Sequence, residues 1–145
     1  MRSFVPKSAD LKKDIIRIDV SNMILGRISA KIAHILRGKH KPIFMPGFNC
    51  GDKVVVLNSD KIKVTGDKLQ RKILYKHTGY IGNMKELRLD HRMEKDSTEV
   101  IRTAVKRMLP RGPLGRAQLR LLDIYKGAEH RYGGAKMVDF KEMKA

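Results

Sequence analysis

The run VVVL (residues 54–57) restricts the fold more than any other stretch of the chain. Four consecutive aliphatic residues leave no side for water, so the segment reads as a strand covered on both faces, the habit of parallel sheets. DIIRIDV (14–20) reads as a second strand: it is short and β-branched, and Ile16 and Ile18 alternate with Arg17 and Asp19. Between the two lies MILGRISAKIAHILRG (23–38). There Ile24, Leu25, Ile28, Ile32, Ile35 and Leu36 recur at helical spacing, while Arg27, Lys31 and His34 follow a separate basic stripe. Ser21 or Asn22 offers a cap at the start, Gly38 a stop at the end, and Pro42 prevents continuation. Strand, helix and strand in this order predict a right-handed βαβ crossover and hence an α/β domain.

Downstream, KIKVTGDKLQRKILYKHTG (61–79) reads as extended segments around a Gly66–Asp67 turn, and HTGYIGN (77–83) as a glycine-containing loop. KELRLDHRMEK (85–95) reads as a helix. Asp96 and Glu99 form a capping pattern for a further helix, with Val100, Ile101, Ala104, Val105, Met108 and Leu109 on one face. Pro110 ends it, LGRAQLRLL (114–122) reads as a short helix, and DIYKG (123–127) as a last extended piece. From Ala128 onward apolar residues thin out. Residues 1–127 are therefore expected to form one domain with an N-terminal extension, and 128–145 a basic tail ordered only by a partner. A chain of 145 residues is long enough to bury a core without crosslinks.

Charge narrows the function. Against 15 Asp and Glu stand 32 Lys and Arg, a formal net charge of +17. Such a surplus resists compaction and favours association with anions, and it exceeds the roughly 2–8 that solubility asks of a small domain. It falls into three clusters. The first holds Arg27, Lys31, Arg37, Lys39, His40 and Lys41, with no acid from 21 to 51. The second holds Lys68, Arg71, Lys72, Lys76 and His77, opposed only by Asp67. The third holds Lys106, Arg107, Arg111, Arg116 and Arg120, with no acid from 100 to 122. Within the third, MLPRGPLGRAQLR (108–120) sets arginines among two prolines and two glycines, a semi-rigid loop that loses little entropy when it docks. Arginine offers a planar fork to phosphate oxygens and lysine a point charge. These residues are expected to neutralise and position RNA phosphates. Aromatic residues make up only 6% of the chain, which argues for backbone and shape reading over stacking on single strands.

Other classes find little support. GxxxxGK[ST], GxGxxG and GxSxG are absent, so no enzyme motif stands out. Asp52, Asp60 and Asp67 are the only set that suggests a metal-dependent enzyme, and aspartate in turns is ordinary turn chemistry. No catalytic residue, metal, cofactor or small-molecule substrate is expected. The single cysteine, Cys50, fits a reducing compartment and reads as a small buried apolar residue. No apolar run is long enough to span a bilayer, there is no Trp, and the N-terminus lacks the apolar core of a secretory signal.

Four stretches carry a resemblance: LGRISAKIAHILRGKHKPIFMP (25–46), GDKVVVLNSDKIKVTGDK (51–68), YKHTGYIG (75–82) and AVKRMLPRGPLGRAQLRLLDIYKG (104–127). Together they resemble the L-thirteen family of large-subunit ribosomal proteins, in its bacterial or organellar form. The likeness runs from about residue 14 to 127, and the tail departs from it. The resemblance implies a three-layer α/β/α domain with a small, mainly parallel four-stranded sheet. It implies a structural constituent of the large subunit that binds large-subunit ribosomal RNA, acts early in assembly and touches neighbouring ribosomal proteins. It implies no catalysis, and a place on ribosomes of the cytoplasm or an organelle matrix. A free-standing RNA-binding translational regulator is the alternative that the basic clusters leave open.

Overall fold

A computed structural model describes residues 5–7, 11–133 and 137–139. Strands β1 (Ile15–Asp19), β2 (Lys53–Leu57), β5 (Leu122–Ile124) and β6 (Met137–Asp139) form one parallel sheet in the order β5-β2-β1-β6. Helix α1 (Leu25–Arg37) links β1 to β2, as the strand–helix–strand pattern predicts. Between β2 and β5 come a 3-10 turn (Ser59–Lys61), α2 (Lys68–Arg71), the antiparallel pair β3 (Ile73–His77) and β4 (Met84–Arg88), then α3 (Leu89–Lys95), α4 (Ser97–Met108) and α5 (Pro113–Leu119).

One face of the sheet makes the core. Ile16 and Ile18 on β1 pair with Val54 and Val56 on β2, and Leu122 stands beside Val54. Onto these pack Ile28, Ile32, Ile35 and Leu36 of α1 with Ile101 and Val105 of α4. Each such aliphatic side chain contributes roughly 1.5–3 kcal/mol through burial. Val55 looks the other way and is also fully buried, so the VVVL strand is covered on both faces. On that second face the chain itself closes over the sheet. Tyr132 donates its hydroxyl to Asp123, Lys53 lies 3.2 Å from Asp123, and the Lys53 ammonium sits 4.6 Å from the Tyr132 ring centre. Among the described residues, α1, α4 and α5 all contribute side chains to the cluster on the first face. The α/β class and the mainly parallel sheet implied by the resemblance are present.

Several local expectations need correction. Residues 85–88 are strand β4, not the start of a helix, because Leu87 pairs with Leu74 of β3 and the helix begins only at Leu89. Residues 68–71 form a single helical turn rather than an extended segment. The cap of α1 is Ile24, held in a parallel bridge to Lys63 by its neighbours: the Leu25 N–H donates to the Lys63 carbonyl and the Lys63 N–H to the Met23 carbonyl, both at 2.9 Å; Ser21 turns back to Asp19 instead. The last core strand is Leu122–Ile124, one residue earlier and shorter than the DIYKG piece. Within the stretch read as a tail, Met137–Asp139 forms strand β6 against β1, backbone pairing that composition does not report; residues 128–133 lead toward it, and 134–136 and 140–145 lie outside the described residues.

Two terminators match the sequence reading. Gly38 closes α1 in the left-handed conformation, φ +79°, with its N–H on His34 and Ile35 carbonyls. Asp96 caps α4, accepting from the Thr98 N–H at 3.1 Å and from the Thr98 hydroxyl at 2.7 Å. The Thr98 hydroxyl, first, and the backbone N–H, second to it among the favourable contacts, hold the Asp96 carboxyl below its ordinary range. A depressed carboxyl stabilises the fold above its unfolded-state pKa and stops doing so as pH falls through the folded value. Asp96→Ala should therefore lower stability at neutral pH by about 1 kcal/mol, with the gap to the parent chain narrowing in acid. Urea unfolding at neutral and acidic pH checks this; a gap that stays constant would mean that the cap does not act through its charge.

Candidate nucleic-acid interface

The fold redistributes the three basic clusters. Arg27 lies in the first turn of α1, whereas Arg37 is its last residue, about 15 Å away along the axis. The helix thus splits the first cluster between its two ends. Arg27 meets the other clusters instead. Lys68 and Lys72, at the start of α2 and just after it, and Arg107, near the end of α4, line the same cleft as Arg27. Segments far apart in the sequence are brought to one place because α1 and α4 pack side by side while α2 and β3 fold against α3 and α4.

The cations at this cleft lack counter-charges. Arg27, Lys68, Lys72 and Arg107 make no ion pair among the described residues, and no acid lines the cleft. Its floor is a small satellite core of Leu74, Leu89 and Val100, with Leu25 and Val64 against it. Lys106, Arg111, Arg116 and Arg120 are exposed around the end of α4, the following loop and α5, again without an ion pair. Arg116 and Arg120 stand one turn apart on α5 and its cap. Lys31 is exposed on the outer side of α1, one turn beyond Arg27. Lys39 is exposed just past Gly38. Arg71 lies 3.7 Å from Asp67, but both are open to water, so the pair contributes little.

The β3–β4 hairpin adds a feature that residue counting missed. Lys76 stands directly opposite Lys85 across the pair. Like charges in that position are mutually destabilising, and an anion between them would relieve the cost. His77, at the end of β3, pairs with Met84 and accepts from the Gly79 N–H through Nδ1 at 3.0 Å, which fixes its ring at the turn. Tyr80 and Ile81 at the hairpin tip are exposed, Ile81 completely. Lys85 had no signal in the sequence because its partner is set by the hairpin register.

Two predicted contacts turn inward. Nε2 of His40 lies 2.7 Å from one oxygen of Asp52, and the Lys41 ammonium donates to the other. Lys41 also donates to the Lys12 carbonyl at 2.7 Å. Asp52 is 1% exposed and accepts the Asp14 N–H at 2.9 Å. His40 and Lys41 are expected to grip RNA, but both side chains turn instead to a buried carboxylate that ties the loop after α1 to the strand edges. The same contacts answer the metal question for Asp52. Asp60 takes a hydrogen bond from Ser97 and Asp67 faces Arg71, so the three aspartates serve three separate purposes. Among the described residues no three potential metal ligands gather. Cys50 is buried, with its thiol 3.8 Å from the Ile43 carbonyl.

Residues 13–131 match the family model for ribosomal protein L13. The chain belongs to the ribosomal protein L13 family. Relatives include the large ribosomal subunit protein uL13 of Methylococcus capsulatus, 48% identical over 132 residues, which span 91% of this chain and 93% of that protein. The protein of the same name from Lawsonia intracellularis is 47% identical over 132 residues, covering 91% of this chain and 92% of the relative. That of Beutenbergia cavernae is 41% identical over 141 residues, covering 97% and 96%. The L13 match takes in β1 through β5 and all three basic clusters, so the surface described above lies wholly inside the family domain. No helix among the described residues is long and apolar enough to cross a membrane.

Proposed function

We propose that this L13-family chain is a structural, non-catalytic constituent of the large ribosomal subunit and binds large-subunit ribosomal RNA. The observation that carries the reading is the meeting of unpaired cations from three distant segments on one rigid scaffold. An arrangement that self-repels when free is stabilised when phosphates surround it. Arg27, Lys68, Lys72 and Arg107 form the centre of the RNA surface. Lys106, Arg111, Arg116 and Arg120 extend it along α5, and Lys76 and His77 extend it along the hairpin. Lys31, Arg37, Lys39 and Arg71 contribute at its margins, and His40 and Lys41 only by holding the loop that bears Lys39. Residues 1–127 carry this role, and 128–145 add strand β6 and Tyr132 to the same sheet. The chain acts early in subunit assembly and touches neighbouring ribosomal proteins, on ribosomes of the cytoplasm or an organelle matrix.

Affinity for large-subunit ribosomal RNA should fall steeply with salt, by a logarithmic slope of roughly 0.7–0.9 per neutralised phosphate. Arg111→Glu with Arg116→Glu should weaken binding at least roughly tenfold and flatten that slope, since each lost phosphate contact removes about one unit of it. Both side chains are exposed and make no ion pair among the described residues, so the thermal unfolding midpoint should barely move. Filter binding across a salt series, beside thermal unfolding, tests the pair of effects. Binding that ignores salt, or a variant that unfolds while its residual affinity is normal, would overturn the reading.

A further inference from the structure

The cleft itself has a composition that phosphate binding alone does not account for. It encloses about 460 Å³, within the range of ligand pockets, at roughly 300–1,000 Å³. A surface that meets only an RNA backbone needs cations on a convex or flat face. Here the cations ring a hollow, and the hollow is greasy: Leu25, Val64, Leu74, Leu89 and Met108 line it. Met108 is left 43% exposed there, although it sits on the apolar side of α4. Gly26 stands at the mouth, in the first turn of α1, and a Cβ added to it would meet nothing within 4 Å. The opening therefore stays clear above the floor.

We propose that this cleft receives one unstacked nucleotide of the bound RNA, its base against the aliphatic floor and its flanking phosphates between Arg27, Lys68, Lys72 and Arg107. The proposal rests on the RNA-binding reading above and adds to it a defined pocket for a single base. Three features single out a nucleotide as occupant. The rim carries only positive charge, which matches a ligand with anionic groups on both sides and repels a basic protein segment. The floor is apolar and already desolvated on its inner side, as an extruded base requires, since its faces shed water on leaving the stack. Arg27 and Arg107 bring guanidinium planes to the rim, able to lie on a base where no aromatic ring is present. A fully paired helix presents no base that reaches such a hollow.

The test compares two RNA duplexes of the same length, one perfectly paired and one with a single bulged nucleotide, the bulge being A, C, G or U in turn. The full chain should bind at least one bulged duplex roughly tenfold more tightly than the paired one, the scale of one base gaining a protein surface. Gly26→Leu adds a side chain at the mouth and removes no charge; it should bring the ratio close to one while affinity for the paired duplex, and the salt slope of that binding, stay as they were. Circular dichroism reports whether that variant is folded. Lys68→Ala with Lys72→Ala changes exposed residues of a helical turn that buries nothing, and should also lower the ratio. Equal affinity of the parent chain for bulged and paired duplexes would overturn the pocket while sparing the RNA-binding reading. A preference that survives Gly26→Leu in a folded chain would overturn it too, since the bulge would then lie elsewhere. Failure to bind either duplex or ribosomal RNA at low salt would sink both.

Discussion

Asp52→Ala is expected to cost the fold about 2–4 kcal/mol, because it strands the Lys41 ammonium and the His40 ring around an empty site. The carboxylate is 1% exposed, and the His40 and Lys41 side chains that meet it are 17% and 18% exposed. A buried charge is tolerated when its partners satisfy it, and Asp52 is satisfied by His40, by Lys41 and by the Asp14 N–H. Removing it leaves an ammonium facing the protein, an imidazole whose other nitrogen, Nδ1, is already buried with no partner among the described residues, and a backbone N–H at the lead-in to β1 without its acceptor. Partial exposure of the His40 and Lys41 side chains lets water relieve some of the loss, which places the estimate below the largest values known for buried pairs. Asp52→Asn keeps the shape and one acceptor but turns an amide donor toward an ammonium or an imidazole, so it should recover less than half of the cost. Lys41→Met in the Asp52→Leu background removes the stranded ammonium and should restore part of the stability. Urea unfolding of the parent chain and the four variants, Asp52→Leu alone included, measures this. A midpoint for Asp52→Ala equal to that of the parent chain would show that His40 and Lys41 swing into solvent without cost, and would return both to the RNA surface.

The Asp52 cluster marks the limit of what the sequence discloses. RGKHK reads as one basic run, and nothing in it separates Lys39, which is exposed, from His40 and Lys41, which are paired. The partner lies beyond a loop, at the mouth of a strand, and only the path of that loop decides which side chains turn inward. The cleft was hidden for the same reason: residues 27, 68, 72 and 107 are neighbours only after α1 and α4 have packed. What was legible depended on local periodicity and local chemistry. VVVL, the apolar side of α1, Gly38 and the Asp96 cap each act within one element, so each could be read in place. Residues 85–88 misled because their charges suit a helix surface as well as a two-sided exposed hairpin; β4 is exposed along its whole length, leaving no alternation for the eye to find. Backbone pairing with β3 wins there over propensity, as it does for β6 against β1.

Gly115→Ala should destabilise the chain by about 3 kcal/mol or more, although glycine to alanine inside a helix ordinarily stabilises by roughly 0.5–1 kcal/mol. Gly115 is buried in α5, and a Cβ on it would fall 1.9 Å from the Pro110 carbonyl oxygen and 2.9 Å from its carbon. Neither atom belongs to a side chain that can rotate away. Pro110 follows Leu109, which is 6% exposed in the core and whose N–H is bonded to the Val105 carbonyl at 3.1 Å. To admit the methyl group, the loop must either lever Leu109 out of its seat or unwind the start of α5, where Gly112 holds a φ of +132° that side chains rarely adopt. The stiffness of PRGPLG therefore comes less from its prolines than from a carbonyl lodged against a glycine. That contact also sets where Arg111 and Arg116 stand, on either side of it, so the same substitution should weaken RNA binding at temperatures where the variant is still folded. Gly26→Ala is the matching control: the added Cβ has open space, and the ordinary helix gain of about 0.5–1 kcal/mol should be seen. Thermal unfolding of the two variants reads opposite signs from one chemical change. A Gly115→Ala chain as stable as the parent would mean that the loop does not close on α5, and that its arginines are not held in place before RNA arrives.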